Sequence, residues 1–161
     1  MGIEIERKFL VTGDAWRREA GRSLKMHQGY LAGEGGRASV RVRLEGTEAR
    51  LNIKASVIGA ARAEYEYPLP VADARTLLET LCIGTLEKVR HYVEHDGLTW
   101  EVDEFSGANA GLVIAEIELD SVEQIFTQPL WVGRELTDDR RYYNHYLALH
   151  PYATWPDADR N

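Results

Sequence analysis

Charged and apolar residues alternate along seven stretches of this 161-residue chain, and this alternation restricts the folds open to it. In Gly2–Val11, the side chains of Glu4, Glu6 and Lys8 fall on one face of an extended strand, opposite a mostly apolar face. Side chains two residues apart on a strand are separated by about 6.6 Å, so one small ligand would reach all three. The pattern predicts β-strands that each carry one charged face.

The same alternation recurs on six later predicted strands. Their charged faces carry Arg41 and Arg43 (strand Arg37–Glu45), Lys54 (Glu48–Ser56), Glu64 and Glu66 (Arg62–Leu69), Lys88 and Arg90 (Leu86–Glu94), Glu101 and Asp103 (Leu98–Phe105), and Glu116 and Glu118 (Leu112–Asp120). A further strand is predicted at Leu24–Ala32, and a short one near Val132–Leu136. Antiparallel strands joined by short turns favour closure into a barrel, and a barrel of about eight strands has room for one small ligand.

Helices are predicted at three places between and after these strands. They are Ala15–Ala20 with Asp14 as its N-cap, Val71–Leu81, and a terminal helix at about Asp139–Leu149. We find no linker or internal repeat, so the chain is predicted to be a single domain over 1–161, with about 151–161 as a surface tail. The predicted class is α+β, a β-barrel with a few helices.

Two arrangements of the barrel satisfy the alternation, and they differ in which face points inward. Either the apolar faces fill the interior and the charges face solvent, or the charges line a lumen and the helices cover an apolar exterior. Buried charges are tolerated only when they are paired, hydrated or ligand-bound. Periodicity alone leaves both arrangements open.

Composition excludes several classes of function. The net charge of −7 argues against non-specific nucleic-acid binding. No apolar run reaches the roughly 20 residues of a membrane span, and the acidic N-terminus is unlike a signal peptide, so we expect a cytoplasmic protein. The single cysteine, Cys82, falls in an apolar helical pattern and is interpreted as a packing residue. The oligomeric state, monomer or homodimer, is left open.

An inward-facing set of these charges would suit a polyanion with its metal ion. Arginine grips phosphate oxygens in a bidentate manner, and clustered carboxylates hold hard divalent cations such as Mg²⁺ or Mn²⁺. The charged faces hold six cations and eight acids in all. A lumen that supplies both is suited to a phosphate chain and its metal.

The sequence resembles the CYTH superfamily, the triphosphate tunnel metalloenzymes. Glu4-Ile5-Glu6-Arg7-Lys8 is similar to the family's ExExK signature, and the paired charges that follow, through Glu116-x-Glu118, come in the family's order. The resemblance covers about Gly2–Asp120 and implies an eight-stranded antiparallel tunnel with an inward charged face. Its members act on the triphosphate group of their substrates.

The resemblance also implies a role for each matched residue. The residues that would bind phosphate are Lys8, Arg41, Arg43, Lys54, Lys88 and Arg90. The residues that would hold metal are Glu4, Glu6, Glu116 and Glu118, with Glu64, Glu66 and Asp103 for a second metal or for water. Lys88, Glu6 and Asp103 are the candidate catalytic residues, and Glu101 is interpreted as a partner of an arginine.

The leading functional hypothesis is a Mg²⁺- or Mn²⁺-dependent inorganic triphosphatase that releases pyrophosphate and phosphate. A thiamine triphosphatase, for which an aromatic side chain at the mouth would stack on the ring, and a class IV adenylate cyclase are alternatives. A non-catalytic polyphosphate or nucleotide sensor is an alternative of another class. A barrel with a charged surface and an apolar ligand is the remaining alternative.

Overall fold

The protein is described by a computed structural model over residues 2–160, in which antiparallel strands are the main secondary structure. The predicted domain, 1–161, includes Met1 and Asn161, which lie outside the described residues. The strands are β1 (Gly2–Val11), β2 (Ala20–Tyr30), β3 (Ala38–Glu45), β4 (Glu48–Ala55), β5 (Ala61–Pro68), β6 (Gly84–His95), β7 (Leu98–Phe105), β8 (Val113–Glu118) and β9 (Val132–Glu135). The helices are α1 (Trp16–Glu19), α2 (Val71–Thr80) and α3 (Asn144–Leu149).

Eight of these strands close into a barrel. Hydrogen bonding runs in the order β5-β4-β3-β2-β6-β7-β8-β1, and β1 returns to β5 to complete the circuit. The closing ladder pairs Gly2 with Glu64 and Ile5 with Ala61. The short strand β9 pairs with the end of β1 outside this circuit. The predicted eight-stranded antiparallel barrel is therefore confirmed.

The charged faces point into the barrel. Lys8 on β1 lies opposite Glu116 on β8, and Arg90 on β6 lies opposite Asp103 on β7. These four residues are buried although each is ionisable, whereas Ile5, Phe9 and Val11 of β1 pack in an apolar cluster on the outer side. Of the two arrangements that periodicity left open, the structure has the charged lumen.

Two apolar clusters cover most of the exterior. One lies over β1, β6, β7 and β8, where Trp16 of α1 and Trp131 pack on Phe9 and Trp100. The other lies where α2 places Ala74 and Leu78 over β3. The outer face of β5 lacks such a cover, since Tyr65 and Tyr67 are 38% and 52% exposed. The prediction that helices cover the apolar exterior is thus wrong at β5.

The first predicted helix is shorter than expected. It spans Trp16–Glu19, and no side chain caps its N-terminus, so the predicted capping role of Asp14 is wrong. Strand β2 already begins at Ala20, where it pairs with Val93 of β6. The pairing of β2 with β6 thus ends the helix after four residues.

The predicted terminal helix neither forms in one piece nor covers the exterior. It divides into a 3₁₀ turn at Arg140–Tyr142 and the short helix α3. These residues, with the chain up to Trp155, close one end of the barrel, and we call residues 140–155 the plug. The plug fits there because the luminal faces become apolar at this end, where Leu86, Phe105 and Ile114 lie two residues beyond Lys88, Asp103 and Glu116.

The predicted surface tail is also part of this plug. Tyr152 and Trp155 are buried with Tyr142 in the apolar cluster. The Trp155 indole N–H donates to the carbonyl of His150 at 2.9 Å. Apart from Pro151 and these two aromatic residues, the described part of 151–161 is exposed, so the prediction is wrong for the half that carries the aromatic residues. Within residues 2–160, no helix has the length and apolar character that crossing a bilayer requires.

Candidate active site

The barrel encloses a cavity of about 450 Å³ that every barrel strand helps to line. This volume lies in the usual range for small-ligand sites, about 300 to 1,000 Å³. The cavity walls carry every residue predicted for the site except Asp103. These residues are Glu4, Glu6, Lys8, Arg41, Arg43, Lys54, Glu64, Glu66, Lys88, Arg90, Glu101, Glu116 and Glu118.

Asp103 lies behind the cavity wall. Its carboxylate is fully buried and accepts hydrogen bonds from Lys88 Nζ at 2.6 Å and from Arg90 Nε at 2.7 Å and Nη2 at 2.8 Å. Both carboxylate oxygens are therefore occupied by cations, which does not suit the predicted role as a metal ligand. The residue fixes the positions of two luminal cations. Glu101 pairs with Arg90, as the sequence interpretation supposed.

Lys88 is the most deeply buried cation of the lumen. Besides Asp103, its Nζ donates to Asn144 Oδ1 at 2.9 Å, and Asn144 belongs to the plug. Burial lowers the pKa of Lys88 to about 7. The nearby charge of Arg90 also lowers this pKa, whereas the attraction of Asp103 raises it. An amine with such a pKa exists in both protonation states near neutral pH.

A second group of cations lies on β3 and β4. Arg43 Nε donates to Gln28 Oε1 at 3.0 Å, and burial together with the charges of Arg41 and Arg90 lowers the pKa of Arg43 to about 10. Lys54 Nζ lies 2.6 Å from Glu4 Oε2. The repulsion among the arginines indicates that this wall is suited to an anion.

The carboxylates of β1 and β8 form the opposite group. Glu6 lies directly across the ladder from Glu118, and among residues 2–160 neither forms an ion pair with a cation. Burial, with the like charges of Glu116 and Glu4, raises the pKa of Glu6 to about 8. Glu116 differs, because Lys8 Nζ at 2.9 Å and Arg90 hold its pKa well below the usual range despite its burial.

These carboxylates have the chemistry of a divalent-metal site. In the described residues, no three His, Cys, Asp or Glu side chains are already arranged around a metal position. However, like charges opposite each other in a sheet are destabilising, and Glu4, Glu6 and Glu118 offer the oxygen atoms that Mg²⁺ and Mn²⁺ prefer. A bound cation would offset both the burial and the repulsion that raise the pKa of Glu6. The residues fit the predicted metal.

The two acids of β5 are partnered differently. Glu64 accepts from Asn52 Nδ2 at 2.7 Å and lies 3.7 Å from Lys54. Glu66 lies 3.4 Å from Arg50 and 3.8 Å from Arg41. Both would have to exchange these partners to hold a second metal ion, just as Glu4 would have to exchange Lys54 to help hold the first.

Sequence reasoning missed several luminal side chains. Arg62 lines the cavity two residues before Glu64, so extending the alternation by one step would have found it. The alternation does place Asn52 on the face of Lys54 and Gln28 on a strand near the lumen, but it does not show that they bind Glu64 and Arg43. Tyr143 and Asn144 reach the cavity only because the plug closes the barrel, and no local pattern in the sequence predicts that.

The closed antiparallel barrel with its charged lumen is the fold that the resemblance to the CYTH family implies. The sequence profile of that domain matches residues 2–145, and the chain therefore belongs to the CYTH family. The chain is 45% identical to the inorganic triphosphatase of Acetivibrio thermocellus over 158 residues, which covers 98% of this chain and 100% of that protein. It is 35% identical to the inorganic triphosphatase of Nitrosomonas europaea over 149 residues, 91% of this chain and 97% of that one.

A solved structure also resembles the barrel. The crystal structure of the inorganic triphosphatase NE1496 superimposes with a TM-score of 0.67 at 34% identity, covering 91% of this chain and 97% of that one.

Proposed function

We propose that this protein hydrolyses inorganic triphosphate to pyrophosphate and phosphate with the help of Mg²⁺ or Mn²⁺. The proposal is carried by one observation: a single cavity holds two sets of opposite charge. Cations of β3, β4 and β6 form one wall, and the carboxylates Glu6 and Glu118, which have no cation partner, lie on β1 and β8. The two relatives that match nearly the whole chain are inorganic triphosphatases. A phosphate chain with its metal satisfies both sets of charges.

In this proposal, the phosphate oxygens are bound by the luminal cations. Arg41, Arg43 and Arg90 present planar guanidinium groups that match phosphate geometry, and Lys8 and Lys54 add point charges. The metal would be held by Glu4, Glu6 and Glu118 beside Glu116, with Glu64 and Glu66 as candidates for a second ion. Such an ion neutralises phosphate charge and activates water when it is bound.

The residues of the chain then promote the chemistry by positioning and charge neutralisation. Water attacks the terminal phosphorus in line, the bond to the bridging oxygen breaks, and its electron pair leaves with pyrophosphate. Arg43 and Arg90 stabilise the charge that develops on the departing oxygens. Lys88 Nζ, with a pKa of about 7, is able to hold a proton next to the leaving group. Asp103 keeps Lys88 and Arg90 in place.

A substrate panel tests the proposal. Phosphate release is measured from tripolyphosphate, ATP and thiamine triphosphate, each with and without Mg²⁺ or Mn²⁺. We expect metal-dependent turnover with the highest kcat/KM for tripolyphosphate. Glu4→Gln and Glu6→Gln should abolish turnover and preserve the fold, whereas Glu123→Gln on the exposed surface serves as the matched control. A higher kcat/KM for cyclic AMP formation from ATP would contradict the proposal.

The same panel separates the remaining alternatives. Tyr146 and His145 of the plug line the cavity and offer rings for stacking on an organic group, which favours thiamine triphosphate as the second candidate substrate. Tight binding of tripolyphosphate without metal-dependent hydrolysis would instead indicate a sensor. A cytoplasmic location stays a prediction.

A further inference from the structure

Arg62 is a luminal cation for which neither the sequence motifs nor the family comparison supplies a role. It lies on β5, opposite Glu4 in the closing ladder and on the same face as Glu64. Its side chain is partly buried and lines the cavity. Its guanidinium carbon stands 4.9 Å from the ring centroid of Tyr143 in the plug. Lys8 Nζ lies 5.5 Å from the same ring, so two cations share one aromatic surface.

Arg62 differs from the other luminal cations in its lack of an acidic partner. The other six on the barrel strands each lie within 4.0 Å of a carboxylate, as does Arg140 of the plug with Glu34. These pairs are Lys8–Glu116, Arg41–Glu66, Arg43–Glu45, Lys54–Glu4, Lys88–Asp103 and Arg90–Asp103. In the described part of the chain, residues 2–160, Arg62 forms no ion pair. Glu4, the acid opposite it, is paired with Lys54 instead.

This difference matters for anion binding. A cation that already has a carboxylate partner gains only the difference between its interaction energies with the new anion and with that partner. An unpaired guanidinium next to a cavity displaces only water and gains the full charge-assisted interaction. Arg62 is therefore the luminal arginine best suited to add to the affinity for an incoming anion.

The aromatic surface that holds Arg62 is itself fixed. The Tyr143 hydroxyl donates to the carbonyl of Thr137 at 2.6 Å and accepts from the backbone N–H of Gly59 at 3.2 Å. These bonds tie the plug to the turn that leads into β5. A fixed ring restricts the guanidinium before any ligand arrives, and this reduces the entropy that binding would otherwise cost.

We infer that Arg62 and Lys8, held against Tyr143, form a phosphate subsite at the plug side of the lumen. The inference rests on the proposed function, because its ligand is a phosphate group of the triphosphate chain. Arg62 contacts the substrate, and Tyr143 is a positioning residue that orients Arg62. The subsite makes the plug a part of the binding site in addition to closing the barrel.

Kinetics and direct binding test the subsite together. Arg62→Ala should raise the KM for tripolyphosphate about ten- to a hundredfold, the range for a charge-assisted hydrogen bond, with kcat changed less than threefold. Arg62→Lys should recover part of the loss. The control is Arg75→Ala on the exposed face of α2, which should behave as wild type. Calorimetric titration with tripolyphosphate alone, without divalent metal, should show the same loss of affinity.

A double-mutant cycle tests the positioning role of Tyr143. If Tyr143 orients Arg62, Tyr143→Ala should raise KM by a larger factor in the wild type than in Arg62→Ala, where only the contact of the ring with Lys8 is left to lose. Additive effects would overturn this role, and wild-type affinity in a folded Arg62→Ala variant would overturn the subsite. Wild-type protein that binds tripolyphosphate through Arg62 without hydrolysing it would refute the proposed function and leave the subsite standing. The converse result, hydrolysis that is indifferent to Arg62, would refute only the subsite.

Discussion

Glu6 and Glu118 are paired directly across the β1–β8 ladder with their carboxylates on the luminal face. Burial, together with the charges of Glu116 and Glu4, raises the pKa of Glu6 to about 8, so the ionised state of Glu6 is costly. A divalent cation would reverse this cost. The relationship therefore connects the proposed metal site with the pH dependence of the protein.

Metal affinity should rise with pH. Because Glu6 carries its proton below about pH 8, a metal ion that uses this carboxylate must displace the proton. We expect Mg²⁺ or Mn²⁺ affinity to increase up to about tenfold per pH unit below that value and to level off above it. Titration calorimetry in buffers of different ionisation enthalpy measures the proton release. Affinity that is independent of pH between 6 and 8 would contradict the assignment of Glu6.

Glu6→Gln should stabilise the metal-free protein at alkaline pH. A carboxyl whose pKa is raised on folding favours the folded state most below its unfolded pKa, and this contribution is lost as pH rises through the folded pKa of about 8. From pH 6 to this pKa is about two pH units, which correspond to a change of at most about 2.7 kcal/mol in the free energy of unfolding. The opening of Glu6 onto the cavity reduces this to about 1 to 2 kcal/mol. Urea unfolding at pH 6 and pH 9 measures it, and Glu123→Gln should leave the pH dependence unchanged.

Asp103→Asn should weaken the fold as well as the activity. The substitution removes the negative charge that Lys88 and Arg90 share inside the wall. Loss of one partner of a buried ion pair costs about 3 to 5 kcal/mol. Chemical denaturation should show this loss, whereas Asp73→Asn in the exposed first turn of α2 should cost at most about 1 kcal/mol. A stable variant with normal KM would show that Asp103 does not hold the two cations.

Trp155→Ala should destabilise the protein although the residue lies only six positions before Asn161. Its indole is buried against Tyr142 and Tyr152 at ring-centroid distances of 5.2 Å. Removal of a buried tryptophan side chain costs about 3 to 5 kcal/mol. Thermal unfolding compared with Ala153→Ser, at an exposed position of the same segment, checks the prediction. Equal stability of the two variants would indicate a surface tail after all.

The sequence predicted the barrel and most of its lumen because the signal is local. Side chains alternate with a period of two, so Lys88 and Arg90 share a face whatever else the chain does. Whether that face points inward or outward could be predicted only from the family resemblance, because the alternation is satisfied both by a charged lumen and by an apolar interior. The predicted metal role of Asp103 did not fit. Sequence spacing predicts the strand face on which a side chain lies, but it does not predict whether that side chain reaches the cavity or stays behind its wall.

The plug was not predictable for a different reason. Three strands contribute the residues that contact it, Leu86, Phe105 and Ile114. In the sequence, nothing distinguishes each of them from the other apolar residues of its strand. Only the antiparallel register brings them together at one end, where they form an apolar surface for Leu147 and Trp155. Arg62 could have been found by alternation, but its contact with Tyr143 depends on the plug.

The ladder between β1 and β8 has a consequence for biosynthesis. Lys8 and its partner Glu116 are 108 positions apart, so β1 leaves the ribosome well before β8, and the ladder between them forms only after β8 has been made. Contacts of such long sequence separation slow folding, because the loop must close before they form. During that interval, the nascent chain exposes unpaired strand edges that favour aggregation. Protection by chaperones during translation would therefore benefit this barrel more than a helical bundle of equal length.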